Sequence, residues 1–380
     1  MKGILSKLAA LLLGAGLIQA EGDGGFQLGK VNGRDCLIDP AGKPFLSLGV
    51  NHIQNVFQGE CALPGNQRQA CEDILQKLTY WGYNTGGYGT PEPLCRMLPS
   101  FAPMYLTMNA NYHSDEQFEY CDVFDPVVQQ KIREVIQYEI GKQAGNSTLI
   151  GYYWTDTPQW DLERTRKKRG TDWVSMIREL PAGAPGKMRY EQFLADGGHS
   201  DEAFLRLIAR QLYRVIGEET RRLAPDVLIF GERYLAEDHP DCVIEEALPY
   251  IDVLSIQPGG VQFDAAYFDR MYAKFNKPIL VCDHQNSFPT PEYPKTMWQQ
   301  LESEEAVGVA YEQYLNDAFE KSYILGYQRC QYIDRYADRA GKLKQGIVRE
   351  DGTAYKTLTQ AVRQANLQAL ERFKLHCKSK

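Results

Sequence analysis

The sequence lacks several patterns that would fix a function at once. It contains no CxxC, so a zinc ribbon or a thioredoxin-like motif has no support. It contains no HxH or HExxH spacing of the kind that holds a catalytic metal. No GxGxxG or phosphate-binding loop follows the first predicted strand, which weakens a nucleotide-binding fold. Excess positive charge is also missing, since the net charge is −7, which argues against a nucleic-acid partner.

Long apolar runs are scarce outside the N-terminus. Lys2 and Lys7 flank the start of a short apolar run over residues 8–18, and Ala20 is a small residue at a plausible cleavage point, so residues 1–20 are predicted to be a signal peptide. The run is too short for a good membrane span, and no cysteine follows it to carry a lipid anchor. We therefore expect a secreted or periplasmic protein with no membrane partner after signal removal.

Cysteine is present in an odd number. With nine cysteines, at least one thiol is free or pairs outside the chain. Export permits disulfides, and Cys61 and Cys71 could close a short loop, but connectivity does not follow from sequence.

A β-hairpin is predicted near the start of the exported chain. Asn32-Gly33 separates two short strand-like runs, which is the strongest local signal for a hairpin. Asp39-Pro40-Ala41-Gly42 reads as a second turn. Residues 21–44 are therefore a hairpin lead-in that we expect to cap one end of the main domain.

After this hairpin, apolar runs of strand length alternate with segments of helical periodicity. The predicted strands are Phe45–Ile53, Tyr83–Tyr88, Met104–Asn109, Leu149–Trp154, Val227–Arg233, Val253–Gln257, Pro278–Asp283 and Ile324–Gln331. The predicted helices are Glu72–Trp81, Pro126–Lys142, Ser200–Leu223, Phe263–Phe275, Glu304–Ser322 and Tyr355–Phe373. Eight such units predict a parallel sheet closed into a (β/α)8 TIM barrel over residues 45–375. A doubly wound open sheet is the alternative.

One connection is unusually long. Residues 159–196 contain the basic run Arg164–Arg169 and form the predicted loop after strand four. Such a run is more often a solvated helix face than a substrate contact, although it could favour an acidic polysaccharide.

Every predicted strand is followed by polar side chains. In a barrel the carboxyl ends of the strands carry the chemistry, and a ring of amides, carboxylates and aromatic groups suits a sugar. The predicted substrate-binding residues at these ends are Asn51, His52, Asn84, Tyr88, Asn109, Asn111, Trp154, Trp160, Arg233, Tyr234, Gln257, His284 and Gln331.

Two acids follow strands four and seven. Glycoside hydrolysis needs two carboxyl groups on opposite sides of the scissile bond, and Asp156 and Asp283 occupy those strand ends. Trp154 and Trp160 could supply apolar surroundings that raise the pKa of Asp156, as a general acid requires. Arg233 could hold Asp283 ionised. Glu232, on strand five, is the alternative catalytic carboxylate. A purely structural role for it, in a buried ion pair, is equally open.

Two segments resemble a known family. Residues 33–51, GRDCLIDPAGKPFLSLGVN, are similar to the lead-in and first strand of agarase-type enzymes, where DPdGkpFfslGvN is typical. Trp81-Gly82-Tyr83-Asn84-Thr85 looks like their second strand. The chain thus resembles the secreted glycoside hydrolase barrels of agarase and β-galactosidase type, whose catalytic carboxylates lie on strands four and seven. The resemblance implies hydrolysis of a poly- or oligosaccharide, such as a galactan, with no cofactor and no metal.

The chain departs from that family at the acids themselves. The family has Asn-Glu at the end of strand four and Glu at the end of strand seven, whereas this chain has Thr155-Asp156 and Asp283. Aspartate is one methylene shorter, so either a retaining or an inverting spacing is open. Two alternatives therefore stay open. One is a carbohydrate-binding barrel without catalysis, and the other is a metal-dependent barrel enzyme with ligands drawn from His52, Asp156, Glu232, Asp283 and His284.

Overall fold

The apolar runs of the sequence form the eight strands of a closed parallel barrel in the computed structural model. The structure describes residues 24–57, 66–106, 121–296, 299–337 and 341–378. The barrel strands are β4 (Ser47–Val50), β5 (Thr85–Gly86), β6 (Ser100–Pro103), β7 (Leu149–Asp156), β8 (Leu228–Leu235), β9 (Leu254–Gln257), β10 (Ile279–His284) and β11 (Ile324–Arg329). They follow one another around the ring, and β11 closes on β4. The predicted TIM barrel is confirmed.

Helices cover the outside of this barrel. They are α1 (Gln67–Tyr80), α2 (Glu92–Cys95), α3 (Pro126–Lys142), α4 (Leu162–Arg169), α5 (Trp173–Glu179), α6 (Pro185–Ala195), α7 (Asp201–Leu223), α8 (Asp241–Ala247), α9 (Ala265–Phe275), α10 (Glu304–Glu320) and α11 (Lys356–Lys378). Residues Ile53–Phe57 form a 3-10 helix. The strands β12 (Arg335–Ala337) and β13 (Gly341–Leu343) form a separate antiparallel pair. Among the described residues, none of the helices has the length and apolarity needed to cross a bilayer.

The predicted hairpin closes one end of the barrel. Its strands β1 (Gln27–Val31) and β2 (Arg34–Ile38) pair antiparallel, and β3 (Pro44–Phe45) adds a third strand. Asn32 and Gly33 both have positive φ, of 51° and 81°, as the tight Asn-Gly turn requires. Phe26 and Leu37 pack into the barrel interior with Leu228 and Leu325. The hairpin therefore caps the barrel at the end where its strands begin.

Local signals explain why the helices begin where they do. The side chain of Asp125 accepts a hydrogen bond from Val127 N at 2.8 Å, and Pro126 occupies the first helical position of α3, as predicted. Ser200 caps α7 in the same way through Ala203 N. The buried stripe of α7 packs on the barrel wall, and this packing provides most of the stability of such a helix.

The third strand was predicted in the wrong place. The sequence favours 104–109, but β6 is Ser100–Pro103, which pairs with β7 from Leu149 to Tyr153. The chain then leaves the regular ladder because Tyr105 has φ of 49°. Met104 N and Leu106 N still donate to carbonyls of β7, so residues 104–106 lie beside the sheet without belonging to it, and residues 107–109 lie outside the described part of the chain. Pro99 precedes this strand and Pro103 is its last residue. Because proline is rare inside a sheet, the sequence did not indicate a strand here.

The long connection after β7 is helical. It contains α4, α5 and α6, and Asp161 and Asp172 cap the first two. The basic run forms most of α4, where Arg164 lies 3.7 Å from a carboxylate oxygen of Glu237, and Arg166 lies 2.7 Å from one of Asp172. These pairs agree with a solvated, ion-paired helix face.

The described cysteines carry free thiols. Eight of them, Cys71 included, form no disulfide with one another. The possible partner of Cys71, Cys61, lies outside the described residues, as does the predicted signal peptide.

Candidate active site

The two predicted acids meet at one arginine. Asp156 ends β7, Asp283 lies near the end of β10, and Arg233 lies on β8. Arg233 donates from Nη1 to Asp156 Oδ1 at 2.5 Å and from Nη2 to Asp283 Oδ2 at 2.9 Å. A planar guanidinium suits two such contacts because its nitrogens form a rigid fork. The carboxylates of strands four and seven are therefore joined through a single buried cation.

Aromatic rings and amides fix the position of this arginine. Its Cζ atom lies 4.2 Å from the centre of the Tyr88 ring and 5.6 Å from that of Tyr153. Gln257 Nε2 donates to Asp156 Oδ1 at 3.0 Å and to the carbonyl of Arg233 at 2.7 Å. Burial lowers the pKa of Arg233, but Asp156 and Asp283 raise it further, so the pKa lies well above its ordinary value. Arg233 is a permanent positive charge at the centre of the site.

Asp283 has a mixed environment. Burial raises the pKa of its carboxyl, Arg233 lowers it, and the charge of Asp156 raises it, with a net upward shift. The contact with Arg233 that the sequence suggested is present, but it does not outweigh burial. The second carboxyl oxygen, Oδ1, is buried and has no hydrogen-bond partner among the described residues. The imidazole of His52 approaches the other side of the group, with Nε2 3.9 Å from Oδ2.

Asn51 organises the wall next to these acids. Its Nδ2 donates to the carbonyl of Cys282 at 2.8 Å, and its Oδ1 accepts from Tyr88 N at the same distance. The same Cys282 carbonyl accepts from Arg233 Nη2. Asn51 therefore ties the loop that carries Tyr88 to the strand that carries Asp283. The structure brings together seven predicted residues: Asn51, His52, Tyr88, Asp156, Arg233, Gln257 and Asp283.

Glu232 lies behind the barrel wall. Its Oε2 accepts from Trp160 Nε1 at 2.8 Å and from the hydroxyl of Tyr213, on α7, at 2.5 Å. The Tyr213 hydroxyl also shares a hydrogen bond with that of Tyr234. Burial raises the pKa of Glu232 to about 7, against the lowering effect of these hydrogen bonds. Glu232 and Tyr234 thus belong to the layer between barrel and helices, away from Asp156 and Asp283.

Both predicted tryptophans lie in that same outer layer. Trp160 is fully buried and stacks on Trp173, with ring centres 4.6 Å apart. Trp154 is fully buried as well, and its Nε1 donates to Thr220 of α7. Neither indole offers an open face to a sugar, and neither surrounds Asp156.

Three further predicted residues have structural partners. His284 bonds to the Tyr327 hydroxyl and the Gly260 carbonyl, and burial lowers its pKa to about 3. Asn84 precedes β5 and bonds to the backbone of Leu46 and Leu48. Gln331 donates to Ile333 O at 2.7 Å. Asn109 and Asn111 lie outside the described residues.

The ligand set of the metal-dependent alternative does not converge. Glu232 and His284 are each held by other partners, as described above. Within the described part of the chain, the one group with metal-ligand geometry consists of His52, Asp283 and Cys330.

Sequence reasoning missed three residues beside the acids. Tyr153 supports Arg233 from within the barrel. Tyr105 packs edge-on against Tyr88 with ring centres 5.6 Å apart and is 42% exposed. Cys330 follows β11 beside Asp283. Strand alternation could have indicated Tyr153, but Tyr105 owes its place to an unusual φ.

No family model and no curated protein sequence matches the chain. Solved structures do match in fold. An agarase, AgWH50C, has a TM-score of 0.78 at 14% identity over 92% of this chain and 66% of its own. An exo-beta-agarase has a TM-score of 0.78 at 15% identity, also over 92% and 66%. A GH2 beta-galacturonidase from Eisenbergiella tayi, bound to galacturonate, has a TM-score of 0.54 at 14% identity over 90% and 54%.

This chain therefore spans about two thirds of the length of those agarases. It has the barrel fold of these glycoside hydrolases, as the sequence resemblance implied.

Proposed function

We propose that this protein is a glycoside hydrolase that cleaves O-glycosidic bonds of a poly- or oligosaccharide with Asp156 and Asp283. The observation that carries the proposal is the Arg233 bridge, which holds two carboxylates together at the ends of strands four and seven. Those are the strand positions that carry catalytic acids in the resembled enzymes.

We assign the roles of the two acids by strand position, with Asp156 on strand four as acid/base and Asp283 on strand seven as nucleophile or base. Asp283 keeps Oδ1 without a hydrogen-bond partner among the described residues, so that oxygen can attack the anomeric carbon or activate a water. Asp156 serves as the acid/base that protonates the leaving oxygen. Arg233 contacts both groups and offsets their mutual repulsion. The reaction transfers a proton to the leaving group and adds the elements of water across the glycosidic bond.

A sugar can be bound at the strand ends next to the acids. The partly exposed ring of Tyr105 and the partly exposed imidazole of His52 supply stacking surface and a hydrogen-bonding group there. We propose a galactan-type substrate because two matched structures are agarases. We also propose that the protein acts outside the cytoplasm, in line with the predicted signal peptide.

A second candidate is a carbohydrate-binding barrel without turnover. It is favoured by the same Arg233, since both carboxylates are already engaged in ion pairs, and by aspartate at positions where the resembled family has glutamate. In that case the barrel holds a sugar at the same strand ends but cleaves nothing.

The test is a screen of the purified chain against a polysaccharide panel that includes agar-type galactans, with product stereochemistry followed by NMR. Asp156→Asn and Asp283→Asn should each abolish hydrolysis and leave the fold intact. Asp264→Asn is the matched control, because this aspartate only caps α9 and asparagine caps equally well. Hydrolysis at near-normal rates in either site variant would refute the assignment. Binding without turnover in the wild-type protein would select the second candidate.

A further inference from the structure

Three side chains of different chemistry meet on three neighbouring elements of the barrel. His52 follows β4, Asp283 belongs to β10 and Cys330 follows β11, and these strands are adjacent in the closed ring. One ligand atom from each residue lies within 4.8 Å of the other two. The group is therefore anchored by the barrel itself and does not depend on a long loop.

We propose that His52, Asp283 and Cys330 form a binding site for one thiophilic divalent metal ion of the zinc type. An imidazole nitrogen, a carboxylate oxygen and a thiolate sulfur are all zinc ligands. Three protein ligands leave the fourth tetrahedral position to water or to a sugar hydroxyl. The inference does not depend on the proposed hydrolysis, since it concerns the metal alone.

The orphan oxygen of Asp283 points to such a ligand. Arg233 uses Oδ2, while Oδ1 is buried without a hydrogen-bond partner in the described part of the chain. Buried polar atoms of this kind usually have a partner, and a bound cation is one way to supply it. The contact of Arg233 with Oδ2 therefore leaves Oδ1 as the carboxyl oxygen available to a cation.

The local charges balance when a divalent ion is present. Asp156, Asp283 and a Cys330 thiolate carry three negative charges, and Arg233 with a divalent cation carries three positive charges. Binding forms a metal–sulfur bond and releases the thiol proton to solvent.

The site remains within reach of solvent. The side chains of His52 and Asp283 are 19% and 12% exposed, whereas Cys330 is buried beneath them. An ion can therefore reach the group past the imidazole, which is the most exposed of the three side chains. If Asp283 acts in hydrolysis, a bound metal competes with that role, and zinc inhibits the enzyme.

The experiment uses Co²⁺ alone as the probe, titrated into the metal-free full-length protein. We expect one cobalt ion per chain and a thiolate-to-cobalt charge-transfer band in the near ultraviolet, which Zn²⁺ then abolishes by displacement. Cys330→Ser should remove the band. Cys95→Ser should keep it, because that thiol donates to Thr90 O and a hydroxyl can make the same bond.

His52→Gln provides a second variant on a partly exposed side chain, and it should weaken cobalt binding by about tenfold or more. Absence of the band in the wild-type protein, or its persistence at full strength in Cys330→Ser, would overturn the proposal. The band reports metal ligation and not hydrolysis, so its failure and the failure of the glycosidase assignment can be told apart.

Discussion

The guanidinium of Arg233 lies over the ring of Tyr88, with 4.2 Å between its Cζ atom and the ring centre. A buried cation on an aromatic face gains up to about 2 kcal/mol from this contact. The ring also limits the directions in which the guanidinium can tilt. Tyr88 therefore positions the cation that holds Asp156 and Asp283 together.

Replacing Tyr88 tests this positioning. Tyr88→Leu removes the aromatic face, so we expect hydrolysis to fall roughly tenfold, in line with a loss of about 1.4 kcal/mol. Tyr88→Phe keeps the face and should retain most of the activity. Steady-state kinetics of both variants separate the contribution of the aromatic ring from that of the hydroxyl. Equal losses in both would assign the effect to the hydroxyl and not to the ring.

Arg233→Lys tests the bridge itself. A lysine keeps the charge but offers one nitrogen where the arginine offers two in a fixed fork, so it cannot reach both carboxylates in the same way. We expect kcat to fall by roughly tenfold to a hundredfold, the size of one lost charge-assisted hydrogen bond. Arg329→Lys is the matched control, because Arg329 is also buried in the barrel but bonds to Asn286. If the two variants lose activity equally, the bridge has no special role.

Glu232 should make stability depend on pH. Its pKa is about 7 in the folded protein against an ordinary value of 4.5. The folded state thus binds an extra proton between these values, and the free energy of unfolding falls as pH rises from about 4.5 to 7, by up to about 3 kcal/mol. Glu232→Gln should remove this part of the slope in urea denaturation measured across that range.

Glu219→Gln serves as the control for that slope. Arg222 lowers the pKa of Glu219, so its charged form stabilises the fold above the ordinary glutamate pKa and loses that effect as the pH falls. Removing its charge should therefore reduce stability at neutral pH. An unchanged wild-type slope in Glu232→Gln would show that other groups cause it.

Trp160 is expected to affect stability and not sugar affinity. The indole is fully buried, stacks on Trp173 and donates to Glu232. Trp160→Phe leaves a gap and removes one of the two hydrogen bonds that Glu232 Oε2 accepts, so we expect a loss of about 2 kcal/mol in the free energy of unfolding. The dissociation constant for an oligosaccharide should stay unchanged at a temperature where the variant is folded. A large loss of affinity at full stability would place the indole in the sugar site after all.

The barrel could be predicted from the sequence, and so could the position of two acids at the ends of strands four and seven. Repeated apolar runs and helical periodicity report the fold class directly, and the Asn32-Gly33 turn reports the hairpin. The inward or outward direction of a side chain was harder to predict, because it follows from strand alternation only where the ladder is regular.

The two strands beside the site are irregular at the residues that matter. The pairing of β7 with β8 shifts between Tyr152 and Tyr153, and again between Tyr153 and Asp156. Gly231 has φ of 64°, a conformation that suits glycine, and the strand continues with Arg233 inside and Glu232 outside. Simple alternation from Phe230 would have placed Glu232 in the barrel. Such irregularities depend on the neighbouring strand, so they cannot be predicted from the sequence of one strand.

The hairpin that caps the barrel also affects how the chain folds during synthesis. Asp35 N bonds to Ser322 O, and the Asn32 side chain bonds to His376 O, so early segments need late ones as partners. Contacts so far apart in sequence make folding slow, and partly made chains keep apolar surface exposed. The fold is therefore complete only after the last helix has been synthesised, because the N-terminal cap waits for its C-terminal partners.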